Sequence, residues 1–545
     1  MRPAVPAAVP QALGRRPGRG PGRLPGTVPA DGLSSSRAPG PGPRLAAVLW
    51  RGVAVARGGR ACRVVDLTPP PIDAVGHRTS DIVPAVKLIP KLTRRTSEAS
   101  DAPRAATPGA RLGWLDALRG IAALVVALHH FDVLRMLPFG GAVWRNFDMG
   151  LFGVMLFFIV SGYIIPASLE RRGDVRAFWI GRIFRIYPAL IAAFVLSIMM
   201  LPAGDGSVAL LRTGDNLASL VANGLMLQDL LGVINGMNVT WTLCYEMVFY
   251  FLVTALFTRG LHRHSGPIAV GMAGVALLAG TAVGTQLLNA ELGSTRTLLL
   301  IVTPIVLLGL AGVLSGNSRL TGAGAMLLGG IGLVLVTLNS RAPAFETWMI
   351  FATMFAGTVV YRAQHGQLAR VPALLACGFV VVAGVLVGRL YNHGKVLDLT
   401  WSSGWKAWSV AYLAAWVLFG VGFLLRARRF PKVLTWLGAI SFSVYLLHIP
   451  LLRTIEPLLG IPPQPSSTLG RIAWTAIFLG VVVAVSHLMY RLVEMPMQRL
   501  GRRVQKAADR RRPAVPAVAS APSAPSAPSA VTAEPEPALS GPRRD

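Results

Sequence analysis

Charge is scarce in this sequence, and acidic charge is scarcer still. Of 545 residues only 14% are Asp, Glu, Lys or Arg, and Lys and Arg outnumber Asp and Glu by 53 to 24. Cysteine is nearly missing: Cys62, Cys244 and Cys377 stand far apart, which excludes a disulfide framework and the paired spacing of a zinc site, so no metal is expected. Extended polar faces are missing as well between residues 115 and 493, where apolar runs recur. A soluble core of 53% apolar content would break such runs with polar positions, whereas hydrocarbon solvates whole helices. The net charge of +29 would suit nucleic acid, but the basic residues sit in terminal segments and in short loops between apolar runs. Membrane topology and anionic lipid account for that distribution, so the bilayer is the expected partner and nucleic acid is not.

The fold class that follows is all-α: a polytopic transmembrane helix bundle of about 10–12 spans between two tails. Residues 1–110 are rich in Pro, Gly, Ala and Arg, with 17 Lys and Arg against 6 Asp and Glu, and read as a disordered basic tail. Residues 111–493 form the membrane domain, and residues 494–545, with "APSAPSAPSA", a second disordered tail. Twelve stretches have spanning length: 115–134, 150–169, 182–202, 240–258, 267–288, 297–315, 321–339, 344–361, 371–390, 404–425, 434–455 and 471–493. Residues 217–234 suit a further re-entrant or interfacial helix. Alternate loops, such as "ERRGDVRAFWIGRIFR" and "RARRFPK", are basic, which places them and both termini in the cytoplasm of a cell with its protein in the inner, plasma membrane. The high Arg, Ala, Gly and Pro content points to a GC-rich bacterial genome.

Ionisable groups inside such spans mark function, because each is costly in hydrocarbon. In "LDALRGIAALVVALHHF" Arg119 and His130 are eleven residues apart. At about 100° per residue they return to within roughly 20° of one helix face, about 16 Å apart along the axis, while His129 points roughly 80° away from Arg119. His130 is the candidate base deep in the bundle, Arg119 the cation near the cytoplasmic end of the same seam, and Asp116 lies one turn before it. "FWIGRIFRIYPAL" sets Arg182 and Arg185 on one face at the cytoplasmic interface, where they bind phosphates or anchor the helix by the positive-inside rule. "TWTLCYEMVFYFL" carries Glu246 about one and a half turns from the outward side, with Trp241 and Thr242 before it. An acid there needs a cation, a hydrogen-bond donor or its own proton. Ser161, beside Gly162 in "GVMLFFIVSGYII", suits close helix packing and no nucleophile elbow surrounds it. Ser441, Tyr445 and His448 form one stripe of "LGAISFSVYLLHIP", His448 being a second functional histidine or a structural one.

Taken in order, these five motifs resemble the acyltransferase 3 family of integral membrane O-acyltransferases, over residues 111–493. The family's arginine, ten residues, histidine signature falls on Arg119 and His130, its arginine pair on Arg182 and Arg185, and its Trp-Ser-Leu-x-x-Glu pattern on Trp241 to Glu246. Thr242 stands where serine is usual and Phe442 where tyrosine is usual. The resemblance implies an enzyme that moves an acyl group, often acetyl, from an acyl-CoA donor substrate to a hydroxyl of a carbohydrate, glycolipid or macrolide-like acceptor, with no permanently bound cofactor. Some members carry a fused extracytoplasmic SGNH esterase-like domain; the residues after 493 leave no room for one, so the stand-alone type is expected. On that footing His130, Arg119 and Glu246 are the expected catalytic residues and Arg182 and Arg185 the donor-binding ones. Asp116, Ser161, Trp241, Thr242, Tyr445 and His448 support substrate or structure. A transporter or flippase of a lipid-linked sugar is the alternative that would use the same basic seam without a base.

Overall fold

A computed structural model describes residues 112–137, 140–200, 216–400, 402–459 and 467–510. The two tails expected at 1–110 and beyond residue 510 lie outside the described residues. Among those described there is no strand, and ten helices are long and apolar enough to cross a membrane.

The principal helices are α1 (Gly113–His130), α2 (Met149–Arg172), α3 (Val175–Met200), α4 (Trp241–Thr258), α5 (Ser265–Ala279), α6 (Thr295–Leu314) and α7 (Ser318–Leu338). They continue with α8 (Ala344–Gln364), α9 (Arg370–Tyr391), α10 (Trp405–Leu424), α11 (Lys432–Leu459), α12 (Thr468–Met489) and α13 (Met495–Arg510). Each of the first twelve overlaps one of the twelve apolar stretches, and α3 begins seven residues before its stretch. α1 stops at His130 rather than 134, because Asp132 turns into the left-handed region at φ 60°, which an aspartate tolerates. α5 is only 15 residues long and ends at Gly280, whose φ of 50° and the Tyr391 ring against its Cα leave no room for a side chain. The re-entrant helix expected at 217–234 is two short helices, Asn216–Gly224 and Gln228–Leu231, broken where Met226 takes φ 54°.

Beyond residue 493, where composition suggests a tail, the chain stays helical: a π turn, Tyr490–Glu494, carries α12 directly into α13. The wider turn swings the chain without breaking it and buries Glu494, which accepts a hydrogen bond from Ser443 of α11.

Two close crossings organise the helices that carry the polar groups inside the bundle. α1 lies on α11 with Gly120 facing Gly438, where a Cβ on Gly438 would stand 1.9 Å from the Asp116 carbonyl oxygen. α2 lies on α8 with Gly162 and Gly357 in register, and Thr358 donates its hydroxyl to the Gly162 carbonyl at 2.8 Å. Small residues let these backbones approach where hydrocarbon gives no hydrophobic drive to association. The ends of the bundle differ. At one end Arg362, 2% exposed, pairs with Glu170, and Arg172, Ala177 and Gln505 meet. At the other, His129 meets Asp148, Arg471 donates to the Met136 carbonyl at 2.8 Å, and Asn289 donates to the Leu231 carbonyl at 3.1 Å. The first is called the basic end below.

Candidate active site

The helical arithmetic is met in three dimensions. Arg119 and His130 both turn toward α11: Arg119 lines a cavity with Ser441 and Tyr445, and the His130 ring meets His448. His129 turns to the start of α2, where its Nδ1 lies 4.0 Å from Asp148 Oδ1. Asp148 caps α2 by accepting from the Leu151 amide at 2.9 Å. Burial pushes its carboxyl up to about 6, with the Leu151 and Gly150 amides opposing.

The contacts of the histidine pair favour one proton arrangement. His448 Nδ1 lies 3.1 Å from the Val444 carbonyl oxygen and His130 Nδ1 lies 3.0 Å from that of Val126. A carbonyl oxygen only accepts, so both Nδ1 atoms carry hydrogen. His448 Nε2 therefore offers a lone pair, and His130 Nδ1, 3.2 Å away, donates to it as well as to Val126. Among the described residues no hydrogen bond reaches His130 Nε2, which this arrangement leaves with a lone pair. His130 does not lie deep in the bundle as expected: it is the last residue of α1 and half-buried, because the helix ends there.

Toward the basic end, a cavity of about 60 Å³ is lined by Arg119, Ser161, Thr242, Glu246, Ser441 and Tyr445, with Phe157, Phe158 and Phe442 among the apolar walls. Glu246 accepts from the Tyr250 hydroxyl one turn further along α4, and the charges of Arg119 and Arg182 act on the same group. Among the described residues no contact joins Glu246 to a histidine; the group that orients His130 is His448. The Tyr445 hydroxyl donates to the Val239 carbonyl at 2.8 Å and sits 2.8 Å from the Thr242 hydroxyl, so threonine in place of serine keeps the contact. Trp241 packs edge-on to Phe158, the ring centroids 6.5 Å apart. Asp116 lies within electrostatic reach of Arg119, and its backbone supports the Gly438 crossing.

Arg182 and Arg185 border a second cavity, about 160 Å³, at the basic end. Arg182 is only 8% exposed, with Phe178 and Tyr250 ring centroids 5.2 and 5.1 Å from its guanidinium carbon. Arg185 lies in the electrostatic field of Arg119, which relates the second cavity to the first, and Tyr445 at the first cavity has its ring 5.9 Å from that of His448. The motifs did not reveal Asp148, Tyr250, Arg172 or Arg502. A carboxylate just before an apolar run is a legible cap signal for Asp148, and Tyr250 follows Glu246 by one helical turn; Arg172 and Arg502 depend on which helices meet.

Comparison with known proteins places these residues in a family. The acyltransferase 3 family model, described as an acyltransferase domain, matches residues 112–491. Peptidoglycan O-acetyltransferase OatA of Listeria monocytogenes is 23% identical over 415 residues, covering 71% of this chain and 56% of that protein. Putative peptidoglycan O-acetyltransferase YrhL of Bacillus subtilis is 24% identical over 405 residues, covering 71% and 55%. Acyltransferase MdmB of Streptomyces mycarofaciens is 28% identical over 148 residues, 26% of this chain and 38% of that protein. The chain thus spans little more than half the length of the first two relatives, and no solved structure gives a significant match. With all five motifs lying inside the matched residues, the chain belongs to the acyltransferase 3 family.

Proposed function

We propose that this protein is a membrane O-acyltransferase that moves an acyl group, acetyl being the best fit, from acyl-CoA to a hydroxyl of a cell-envelope carbohydrate. The observation that carries the reading is the His130–His448 pair, which leaves a lone pair on His130 Nε2 at the end of a seam that begins in an arginine-lined cavity. The peptidoglycan named for two relatives supports a carbohydrate acceptor.

In this mechanism Arg182 and Arg185 hold the donor's phosphates at the basic end, taken as the cytoplasmic side by the positive-inside rule. Arg119 and Glu246 line the path along which the extended thioester arm reaches the opposite end. Along α1 the distance from Arg119 to His130 is about 16 Å, a span for a flexible arm rather than for one side chain. His130 Nε2 takes the proton of the acceptor hydroxyl as that oxygen attacks the thioester carbonyl. The C–O bond forms, the C–S bond breaks, and the proton passes from His130 to the departing thiolate. His448 stabilises the imidazolium between those events by accepting from Nδ1–H. Tyr445, its ring 5.9 Å from that of His448, and the Thr242 hydroxyl bonded to it orient the acceptor. Ser161, Asp116 and Trp241 shape the walls.

A flippase has use for the basic cavity but none for a coupled histidine pair with a free lone pair. Incubating the purified protein with labelled acetyl-CoA and envelope glycans separates the two: label appearing as an alkali-labile ester on the glycan is the expected result, and glycan carried across a vesicle membrane without label would overturn the assignment.

A further inference from the structure

The helix that composition places in a tail closes the arginine cavity. α13 packs along α3, with Gly501 set so close to Phe184 that a Cβ would lie 2.6 Å from the Phe184 Cβ. Gln505 Nε2 donates to the Ala177 carbonyl at 2.7 Å, and Arg172 Nη1 donates to the same carbonyl at 3.0 Å. α13, the end of α2 and the first turns of α3 are thereby tied to one backbone group. The apolar residues Met497, Leu500 and Val504 remain partly exposed along α13, the pattern of a helix lying in a membrane interface.

The space so enclosed, about 160 Å³, is bordered by four guanidiniums, those of Arg172, Arg182, Arg185 and Arg502, together with the amides of Gln498 and Gln505. None of its lining residues is a carboxylate. Arg182 is more than nine-tenths buried there, and Arg172 and Arg185 act on it as like charges. Glu246 acts on Arg182 and Glu494 on Arg185 from outside the lining, yet four guanidiniums against these two carboxylates still favour an anion in the cavity, and guanidinium forks match phosphate oxygens bidentately. Glutamine amides add uncharged donors to the same rim.

We propose that α13 is the second wall of a phosphate site, with Arg502, Gln498 and Gln505 facing Arg172, Arg182 and Arg185, and that the site takes the phosphate groups of the acyl donor's nucleotide. The donor half of this assignment rests on the acyl-CoA reading above; the phosphate site itself does not. An anionic lipid headgroup presents the same chemistry from the bilayer, and the test distinguishes the two sources.

Full-length protein in phosphatidylcholine nanodiscs is titrated calorimetrically with CoA and with pyrophosphate, and hydrogen exchange is followed over residues 495–510. Arg502 is exposed, so R502A, R502E and R502K leave the fold intact, which an unchanged Tm checks. The expected result is that R502E weakens both probes roughly tenfold or more and R502A less, that R502K recovers part of the loss, and that CoA slows exchange of α13 in the unaltered protein. Pyrophosphate binding that depends on Arg502, with no CoA binding, supports the phosphate site and overturns the donor assignment. Phosphatidylglycerol in the nanodisc that displaces pyrophosphate where CoA does not assigns the site to a lipid headgroup and likewise overturns the donor assignment. If neither probe binds, or if R502E leaves both affinities within about twofold, α13 is not a wall of a phosphate site.

Discussion

At the basic end of the bundle four guanidiniums border one cavity, whereas at the opposite end the polar groups that meet between α1, α4 and α11 are two imidazoles, a phenol and a threonine hydroxyl. The helices of the two ends pack on one another, α1 on α2 and α11 on α3, so the contrast is not one of separate domains. Fixed positive charge suits holding a polyanion and is poorly suited to taking up a proton. Neutral, hydrogen-bonded imidazoles suit proton transfer and offer little to a phosphate. One seam therefore divides binding from chemistry along its length, and the division can be broken one end at a time.

The largest effect is expected from His130→Ala. Removal of a positioned base lowers transfer by roughly 10²–10⁴-fold, while the affinity for CoA stays within about twofold, since the arginine cavity is untouched; steady-state transfer and calorimetry check the two parts. The converse is the double replacement of Arg182 and Arg185 by alanine. It raises the donor KM by roughly 10–100-fold with a smaller change in kcat, as the loss of two charge-assisted contacts to a remote part of the substrate should. An equal fall in kcat would place the arginines in the chemistry and erase the contrast. His448→Ala comes next, with kcat lowered by roughly tenfold through loss of the Nδ1–H acceptor. His448→Gln, whose carbonyl oxygen can accept the same bond, recovers part of it.

The smallest effect sharpens the outward end by its titration. Asp229, in the short helix before α4, has its carboxyl pushed up to about 6 by burial, against the opposing pull of Arg341 at 3.5 Å and Asn235 at 2.9 Å. It holds its proton more tightly folded than unfolded, so its contribution to stability is complete below about pH 4 and is lost as pH rises through about 6. Asp229→Asn should flatten the decline in Tm across that window, measured in detergent at constant ionic strength; an unchanged slope would assign the titration elsewhere, Asp148 being the other carboxyl raised in the same direction.

Much of this was legible from single helices. Periodicity separates His130 from His129 on α1, and the structure sends them to α11 and α2 respectively, because rotation about one helix axis is a local property. The depth of His130 was not legible: it depends on α1 stopping at Asp132, a left-handed residue inside an apolar run. The pairing of His130 with His448, 318 positions apart, is set by how Gly120 and Gly438 let two helices approach. α13 escaped for the opposite reason. Its basic composition reads as a solvated tail, and only Phe184 and Ala177 on α3 supply what makes it a docked helix.

Single-turnover transfer from preloaded donor tests the division most directly, because saturation with labelled acetyl-CoA removes donor affinity from the rate. With acceptor then added, the Arg182→Ala, Arg185→Ala double variant should form ester at close to the unaltered rate. His130→Ala, equally loaded, should form almost none. Ester formation by His130→Ala at the unaltered rate would contradict the account.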